Sequence, residues 1–226
     1  MGNHPDDIGI VEVADDGVDE LLRLYADLFH DREPLTRWIG FGKERMISMA
    51  RAMHASDGDG ALPGNTRCWT ARTGADGNTA VGFIVCDDPA TEGNPSLPDD
   101  LTDEEKRKMS AVMALLGDIR DPVQDRRGLG SGKCLHVAAI GVAPGYEGKG
   151  IAKRLLRTAL SDAEERGFQF AFAECTSLAS RVLHEGMGFE CLKTASARTL
   201  VAKGDSPFAD CDLEIHLMAK RLRSRN

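Results

Sequence analysis

A glycine-rich turn, Gly148-Lys149-Gly150, lies between a predicted strand and a predicted helix and restricts the possible folds more than any other feature. The residues before it, 136–142, form an extended run that Pro144-Gly145 stops. From Ile151 onwards, apolar residues recur at the spacing of one helix face. Residues 148–152 are therefore predicted to be the first turn of a helix that follows a strand.

The predicted turn is suited to binding a diphosphate. The first backbone N–H groups of a helix have no partner within the helix, and they carry the positive end of its dipole. The small residues Gly148, Gly150 and Ala152 leave the approach to these groups open.

Two better-known glycine motifs are excluded. A dinucleotide-binding fingerprint needs a glycine three residues after Gly150, where this chain has Lys153. The run Gly128–Cys134 is similar to a phosphate-binding P-loop, but it lacks the leading glycine and the Ser or Thr, and a strand follows it. We interpret that run as a flexible connector.

A second informative block begins after the helix. Residues 168–175 alternate aromatic and small side chains, which is typical of a strand with both faces covered. A short helix is predicted over Ser177–Met187, closed by Gly188-Phe189. The sequence therefore predicts a central strand followed directly by a short helix.

These blocks resemble a known superfamily. The run Glu147–Ala152 resembles motif A of the GNAT acyltransferases, Arg/Gln-x-x-Gly-x-Gly/Ala, and Gly188-Phe189 resembles their motif B. Three further segments are similar to the insect-type arylalkylamine N-acetyltransferases: Cys175–Arg181 (Cys-Ser-Ser-x-x-Ser-Ala-Arg), Arg32–Leu35 (Asp-Glu-Pro-Leu) and the closing strand Leu213–Lys220. Glu147 departs from motif A, and we do not expect its side chain to contact a ligand.

The resemblance implies an α/β fold with a GNAT-like mixed, mostly antiparallel twisted sheet of about six or seven strands flanked by helices. Acetyl-CoA or another acyl-CoA would be the cosubstrate, bound where strand 136–142 diverges from strand 168–175. The resemblance places the diphosphate at the turn and the pantetheine arm along the backbone of the first strand. The implied cofactor-binding residues are Ile140, Val142, Gly148, Lys149, Gly150, Ile151, Ala152 and Lys153.

Transfer of an acyl group to an amine needs a base, because an alkylammonium with a pKa near that of lysine, about 10.4, is almost wholly protonated at neutral pH. By resemblance, Glu33 is the candidate general base. The alternative is structural: a carboxylate beside Pro34 at the first helical position stabilises a helix N-terminus.

Three more residues are candidates for the proton chemistry. Ser180 and Thr176 match serines that the family uses to bind cofactor or to protonate the departing thiolate, and Ser180 is the stronger candidate. The alternative for Thr176 is local capping, since Thr176 or Ser177 would be a good N-cap for the helix that follows, and we expect capping to be the main role of Thr176. His184 stands where many GNAT enzymes have a tyrosine general acid, but a packing role for this lone histidine is favoured over a catalytic one. A cysteine relay is disfavoured, although Cys175 lies beside the predicted site.

The expected function is transfer of an acetyl or other acyl group from acyl-CoA directly to a primary amine, an arylalkylamine in the first place. A polyamine or other aliphatic amine is the second acceptor class. A different class of function also stays open, a non-catalytic module that senses acyl-CoA, because fold does not determine function.

Composition agrees with a soluble enzyme. The 226 residues carry a net charge of −8, which argues against nucleic-acid and anionic-membrane partners and suits a small cationic amine. The six cysteines form neither a zinc motif nor a disulfide framework, so we expect reduced thiols, no metal and a cytoplasmic location. We read residues 1–226 as a single N-acyltransferase domain and leave the oligomeric state open.

Periodicity predicts the remaining elements. The expected strands are 8–13, 67–72, 79–86 and 213–220, with an antiparallel hairpin between the second and third around Gly74–Asn78. The expected helices are 18–30, a helical stretch from Pro34 to about 53, and one from the capping box Thr102–Glu105 to about Leu116, before Gly117. Residues 56–64 are expected to be flexible.

Overall fold

The computed structural model describes residues 8–53, 66–74, 78–89, 98, 100–127, 134–199 and 206–223. The strands within them are β1 (Gly9–Glu12), β2 (Arg67–Thr73), β3 (Thr79–Asp87), β4 (Cys134–Val142), β5 (Phe170–Cys175), β6 (Glu190–Ser196) and β7 (Glu214–Arg221). The α-helices are α1 (Val18–Phe29), α2 (Pro34–Ile39), α3 (Lys43–Met53), α4 (Asp103–Arg127), α5 (Ile151–Glu165) and α6 (Leu178–Glu185).

The seven described strands form one sheet in the order β1-β2-β3-β4-β5-β7-β6. Every neighbouring pair is antiparallel except β4 and β5, which run parallel. A parallel pair needs a crossover connection, and α5 is that connection. The predicted mixed, mostly antiparallel sheet flanked by helices is confirmed.

Helices cover both faces of the sheet. The apolar stripe of α5, which includes the fully buried Leu155, Leu156 and Ala159, packs in one core cluster with sheet residues such as Ile84 and Ala171. The other face has its own cores: α1 packs against Phe83, while α2, α3 and α4 pack around the region of β5 and β7. Both faces of the central strands are thus buried, as the alternating sequence of β5 predicts.

Helix α4 extends beyond its predicted end. It continues through Gly117 to Arg127, because the apolar face continues with Leu115 and Ile119, which are 1% and 0% exposed. A glycine inside a helix costs about 1 kcal/mol, less than the burial of one large aliphatic side chain contributes. The prediction of a helix end at Leu116 is therefore wrong.

The helical stretch predicted from Pro34 divides into two helices. Gly40 takes a left-handed conformation, φ 77°, and its N–H bonds to the carbonyl of Thr36, so α2 ends there after six residues. A new helix, α3, starts at Lys43. Strand β6 has no counterpart among the predicted elements, because its residues are mostly polar and half-exposed.

Some predicted segments lie outside the described residues. These are the flexible stretch 56–64, most of the connector 128–134 and the tip of the hairpin loop, 75–77. In the part of the chain that the structure does describe, no helix has the length and apolar character needed to cross a membrane.

Candidate active site

The candidate site is an opening in the sheet where β4 and β5 part. Their parallel pairing stops at His136 opposite Phe172, yet β4 runs on to Val142 and β5 to Cys175. A bulge bends β4 just beyond this point, since Val85 pairs with Ala139 and Cys86 with Val137, which leaves Ala138 unmatched. The predicted divergence of the two strands is present.

Two residues of β4 direct their backbone groups into this opening. The N–H of Ala143 bonds to the carbonyl of Val81 at 2.8 Å, so this pair is of the hydrogen-bonded kind. Residues opposite each other in an antiparallel pair alternate between bonded and non-bonded kinds. Val142 and Ile140 are therefore of the non-bonded kind with respect to β3, and their N–H and C=O groups point towards β5.

The glycine turn lies at the outer end of β4. Gly148 and Gly150 have φ of 73° and 76°, the left-handed region in which glycine is favoured, and a Cβ at either position would meet no atom within 4 Å. Gly150 is the N-cap of α5, and no side chain caps the helix there. The space beside the two glycines is thus open and the start of the helix has no side-chain cap, as a diphosphate site requires.

The side chains around the turn are of two kinds, one buried in the core and the others exposed to solvent. Ile151 is 2% exposed and anchors the helix start in the core, whereas Lys149 and Lys153 are exposed. The ammonium of Lys149 lies 5.2 Å from the ring centroid of Tyr146. Ala152 is half-buried and adds little bulk to the first turn. The start of α5 therefore combines small side chains with the two exposed lysines.

Glu33 lies on the opposite side of the opening and caps α2. Its Oε1 accepts from the N–H of Leu35 at 3.1 Å, and its Oε2 accepts from the N–H of Thr36 at 2.6 Å. The hydroxyl of Thr176, at the end of β5, donates to Oε1 at 2.7 Å. Two of the predicted catalytic residues, 143 positions apart in the chain, are therefore in direct contact.

Thr176 is not the N-cap of α6, so that expectation is wrong. Ser177 is the N-cap, and its hydroxyl accepts from the N–H of Ser180 at 3.2 Å. The hydroxyl of Ser180 donates to the sulfur of Cys175 at 3.3 Å. Burial raises the pKa of Cys175 to about 11, so this thiol stays protonated at neutral pH.

His184 is buried in the packing of α6, with 1% of its surface exposed. Its Nδ1 donates to the carbonyl of Ser180 at 2.8 Å, and its ring packs edge-on against Phe189 with centroids 4.8 Å apart. Burial lowers the pKa of His184, although the bond to Ser180 opposes this effect. Its Nε2 is buried without a hydrogen-bond partner.

These candidate residues lie within a region that matches a known protein family. Residues 18–189, about three quarters of the chain, match the model described as the Acetyltransferase (GNAT) family. The chain belongs to this family. The match runs from the start of α1 through the glycine turn to Phe189, and so includes all the candidate residues above.

Solved structures show the same fold at low sequence identity. The mosquito protein named arylalkylamine N-acetyltransferase-like 5b is 20% identical to this chain, with a TM-score of 0.69. The match covers 96% of this chain and 100% of that one. The Drosophila melanogaster polyamine N-acetyltransferase, which forms N-acetylagmatine, gives the same identity, TM-score and coverage. A putative acetyltransferase from Salmonella typhimurium, solved with its cofactor acetyl-CoA, is 13% identical with a TM-score of 0.56. This match covers 97% of this chain and 96% of the Salmonella chain.

This GNAT protein also has a buried charge cluster that the sequence analysis missed, formed by Asp87, Arg120, His136 and Glu174. The His136 ring donates from Nδ1 to Asp87 and from Nε2 to Glu174, both at 2.9 Å, and Arg120 of α4 pairs with the other oxygen of Glu174. The ring also stacks on Phe172, with centroids 4.8 Å apart. A charged residue at a core-facing position of a central strand, as at 136 and 174, was the available signal.

The cluster holds His136 and Glu174 in their charged forms. Burial opposes the charge on His136, but Asp87 and Glu174 outweigh it and raise the pKa of His136 to about 9. Burial likewise opposes the charge on Glu174, but His136 and Arg120 lower its pKa to about 2. The side chains of His136 and Glu174 are only 8% and 5% exposed, so solvent screens these interactions little. No group of His, Cys, Asp or Glu among the described residues is arranged to hold a metal ion.

The charge cluster predicts how stability depends on pH. The contribution of Glu174 should be complete above its ordinary pKa of 4.5 and should fade as pH falls towards 2. The contribution of His136 should be complete below its ordinary pKa of 6.5 and should fade as pH rises through 9. Urea unfolding should therefore give a difference in the free energy of unfolding between the parent and His136→Gln that shrinks as pH rises from 6.5 to about 9.

The comparison between parent and variant matters because buried thiols such as Cys68, with its pKa raised to about 12, also weaken the fold at alkaline pH. His216→Gln on β7 is the matched control, because this imidazole bonds to the hydroxyl of Thr194 rather than to a carboxylate. A His136→Gln difference that is level across this range would contradict the charged state assigned to the cluster.

Proposed function

We propose that this protein transfers an acyl group, acetyl in the first place, from acyl-CoA directly to a primary amine. The observation that carries the proposal is the hydrogen bond from Thr176 to Glu33, 2.7 Å long. It brings a carboxylate from the α1–α2 loop to the end of β5, beside the opening that leads to the glycine turn. A proton acceptor and a cofactor site thus adjoin the same opening.

The residues at the opening fit acyl-CoA as cosubstrate. Ile140 and Val142 offer backbone donors and acceptors to a pantetheine arm, which carries amides of its own. The first turn of α5 offers uncapped N–H groups to a diphosphate, with Lys149 and Lys153 close by. The acetyl-CoA that accompanies the Salmonella protein, on the same fold, supports this part of the proposal.

The acceptor we favour is an arylalkylamine, with a polyamine or another aliphatic amine second. One similar structure is an arylalkylamine N-acetyltransferase and another is a polyamine N-acetyltransferase, so both acceptor classes occur on this fold. The net charge of −8 suits either class, because both kinds of amine are cations at neutral pH.

Glu33 is the proposed general base. Its Oε1 already accepts two hydrogen bonds, whereas Oε2 accepts one and retains a lone pair. A proton from the amine, direct or through one water, would therefore arrive at Oε2. Loss of that proton leaves the amine nitrogen free to attack the thioester carbonyl of the acyl-CoA.

The departing thiolate needs a proton, and Thr176 is the better placed hydroxyl. Its O–H donates to Glu33, so after Thr176 gives that proton to the thiolate, the Glu33 carboxyl that took the amine proton can return a proton to the Thr176 oxygen. Ser180 donates to Cys175 rather than to the proposed base. The burial of His184, and its bond to a backbone carbonyl, favour packing over acid catalysis.

One observation favours the second class of function, a non-catalytic module that binds acyl-CoA. Both carboxylate oxygens of Glu33 accept backbone N–H groups, as an ordinary helix cap would. A purely structural Glu33 would leave the cofactor site intact without a base. The two functions differ only on the acceptor side, so turnover separates them.

Turnover of an amine panel tests the proposed function. Purified protein incubated with acetyl-CoA should release free thiol when an arylalkylamine is present, and more slowly with a polyamine or a simple aliphatic amine. Thiol release must depend on the amine, with an N-acetylated product of matching mass. If calorimetry shows that the protein binds acetyl-CoA, but no amine of the panel causes release of free thiol, the non-catalytic module is favoured.

The cofactor site makes a prediction that separates binding from folding. Ala152→Glu adds a carboxylate to the first turn of α5, where the helix dipole favours negative charge, so thermal stability should be kept or should rise by up to about 1 kcal/mol. The same charge repels a diphosphate, so the affinity for CoA measured by calorimetry should fall about tenfold or more. The neutral control Ala152→Gln should lose much less affinity, and equal affinities for Ala152→Glu and the parent would place the diphosphate elsewhere.

A further prediction sets Glu33 against His184. Glu33→Gln removes the base, so turnover should fall on the order of 10²-fold, and this defect should shrink as pH approaches the pKa of the amine. Coenzyme A affinity should not change. His184→Gln should lower thermal stability and leave the pH profile of turnover as it is.

Glu105→Gln is the matched control for the capping role of Glu33. Glu105 accepts from the N–H of Thr102 at 2.8 Å at the start of α4, so its substitution also removes a carboxylate cap. It should cost stability without affecting turnover. If Glu33→Gln behaves like this control while His184→Gln loses its activity, the proton chemistry belongs to α6.

A further inference from the structure

One side chain crosses the candidate site from the α1–α2 loop to the glycine turn. Arg32, which precedes Glu33, forms an ion pair with Glu147, a residue 115 positions away in the chain. Its Nη1 also donates to the carbonyl of Val142 at 3.1 Å. The two side chains are about half-exposed, at 46% and 53%, so the pair lies at the surface and its partners are exchangeable.

Both contacts of Arg32 occupy groups that face the proposed cofactor path. The carbonyl of Val142 points into the opening between β4 and β5, where a pantetheine arm would accompany the strand. Glu147 directly precedes Gly148 in the turn that offers backbone donors to the diphosphate. The guanidinium therefore lies between the two ends of the cofactor site.

Glu147 also creates an electrostatic problem. An uncompensated carboxylate next to the turn would repel a diphosphate, which carries negative charge of its own. The position corresponds to Gln or Arg in motif A, and position 32 corresponds to the Asp of Asp-Glu-Pro-Leu, so the chain departs from both motifs. The two departures meet in one ion pair, with a cation on the loop and an anion on the turn.

We propose that Arg32 is a cofactor-binding residue that leaves Glu147 and Val142 to bind the diphosphate of coenzyme A. The proposal rests on the proposed function, because it takes acyl-CoA as the ligand of the opening. An arginine suits this exchange, since its planar fork binds carboxylate and phosphate oxygens with the same pairwise geometry. Its departure also frees the carbonyl of Val142 as an acceptor for the pantetheine arm.

The exchange links the cofactor side of the site to the acceptor side. Arg32 and Glu33 are consecutive, and Glu33 is fixed by its bonds to α2 and to Thr176. A diphosphate that holds Arg32 therefore holds the loop that presents the proposed base. In the absence of the ligand, Glu147 and the carbonyl of Val142 hold Arg32 instead.

Calorimetry with two ligands tests the proposal, coenzyme A and pantetheine, which lacks phosphate. The proteins are the parent, Arg32→Gln, Glu147→Gln, the double variant, and the matched control Arg51→Gln. Arg51 forms an exposed ion pair with Asp19 at 2.7 Å between α3 and α1, so its substitution removes the same charge and leaves a similar carboxylate unpaired. Thermal unfolding verifies that each variant is folded.

Arg32→Gln should weaken coenzyme A binding about tenfold or more, as expected for loss of a charge-assisted hydrogen bond. It should leave pantetheine binding equal or tighter, because the carbonyl of Val142 is freed. Glu147→Gln should tighten coenzyme A binding several-fold. The loss from Arg32→Gln should be larger in the Glu147→Gln background, because there no ion pair has to break before Arg32 binds the diphosphate. A smaller loss would mean that Arg32 only neutralises Glu147. Arg51→Gln should change neither affinity more than about twofold.

Two results would overturn the proposal while leaving the cofactor site in place. One is coenzyme A affinity in Arg32→Gln equal to that of the parent. The other is an equal loss for coenzyme A and pantetheine, which would mean that Arg32 only shapes the loop. If the parent itself binds no coenzyme A, the proposed function fails, and the role of Arg32 fails with it.

Discussion

The site depends on the end of backbone pairing between β4 and β5. A parallel pair inside a sheet normally uses its hydrogen-bonding groups on both sides, and groups left unpaired in the interior cost free energy. Here the pairing stops at His136, and the bulge at Ala138 bends β4 away, so the backbone groups of Ile140 and Val142 that face β5 have no strand partner there, and the Val142 carbonyl accepts from Arg32 instead. A ligand with amides of its own can satisfy those groups, as the proposed acyl-CoA site requires.

Side chains take over where this backbone pairing ends. His136 is the last residue of β4 that pairs with β5, where its partner is Phe172. Its side chain bonds to Glu174, two residues beyond Phe172. Arg120 connects the same carboxylate to α4, and Asp87 holds the other side of the imidazole ring. Two positive and two negative side chains, three of them buried and Arg120 partly exposed, thus tie three strands and one helix together beside the opening. Removal of one member would leave a buried charge without its partner, which is far more costly than loss of an exposed ion pair.

The short α1–α2 loop connects the two halves of the proposed chemistry. Glu33 caps α2 with both carboxylate oxygens and accepts the hydroxyl of Thr176, so a residue of the loop is held rigidly against the end of β5. Its neighbour Arg32 reaches the other way, to the turn that begins α5. Capping and catalysis are compatible for one carboxylate, since Oε2 still has an acceptor site for the amine proton. Two adjacent residues are therefore assigned by the proposals to the acceptor and to the cofactor respectively.

The sequence alone determined the elements whose signals are local. The glycine turn, the start of α5 at Ile151, the alternating strand β5 and the capping box at Thr102 follow from backbone sterics and side-chain period, which neighbouring residues decide. Resemblance extended this to the family and to the candidate residues Glu33 and Thr176. Tertiary structure decided the rest: the passage of α4 through Gly117, the contact of Thr176 with Glu33 instead of a cap, the buried charge cluster, and the ion pair of Arg32 with Glu147. Each of these depends on residues far apart in the chain that only packing brings together, and no local pattern encodes which distant partner a charge or an apolar face will meet.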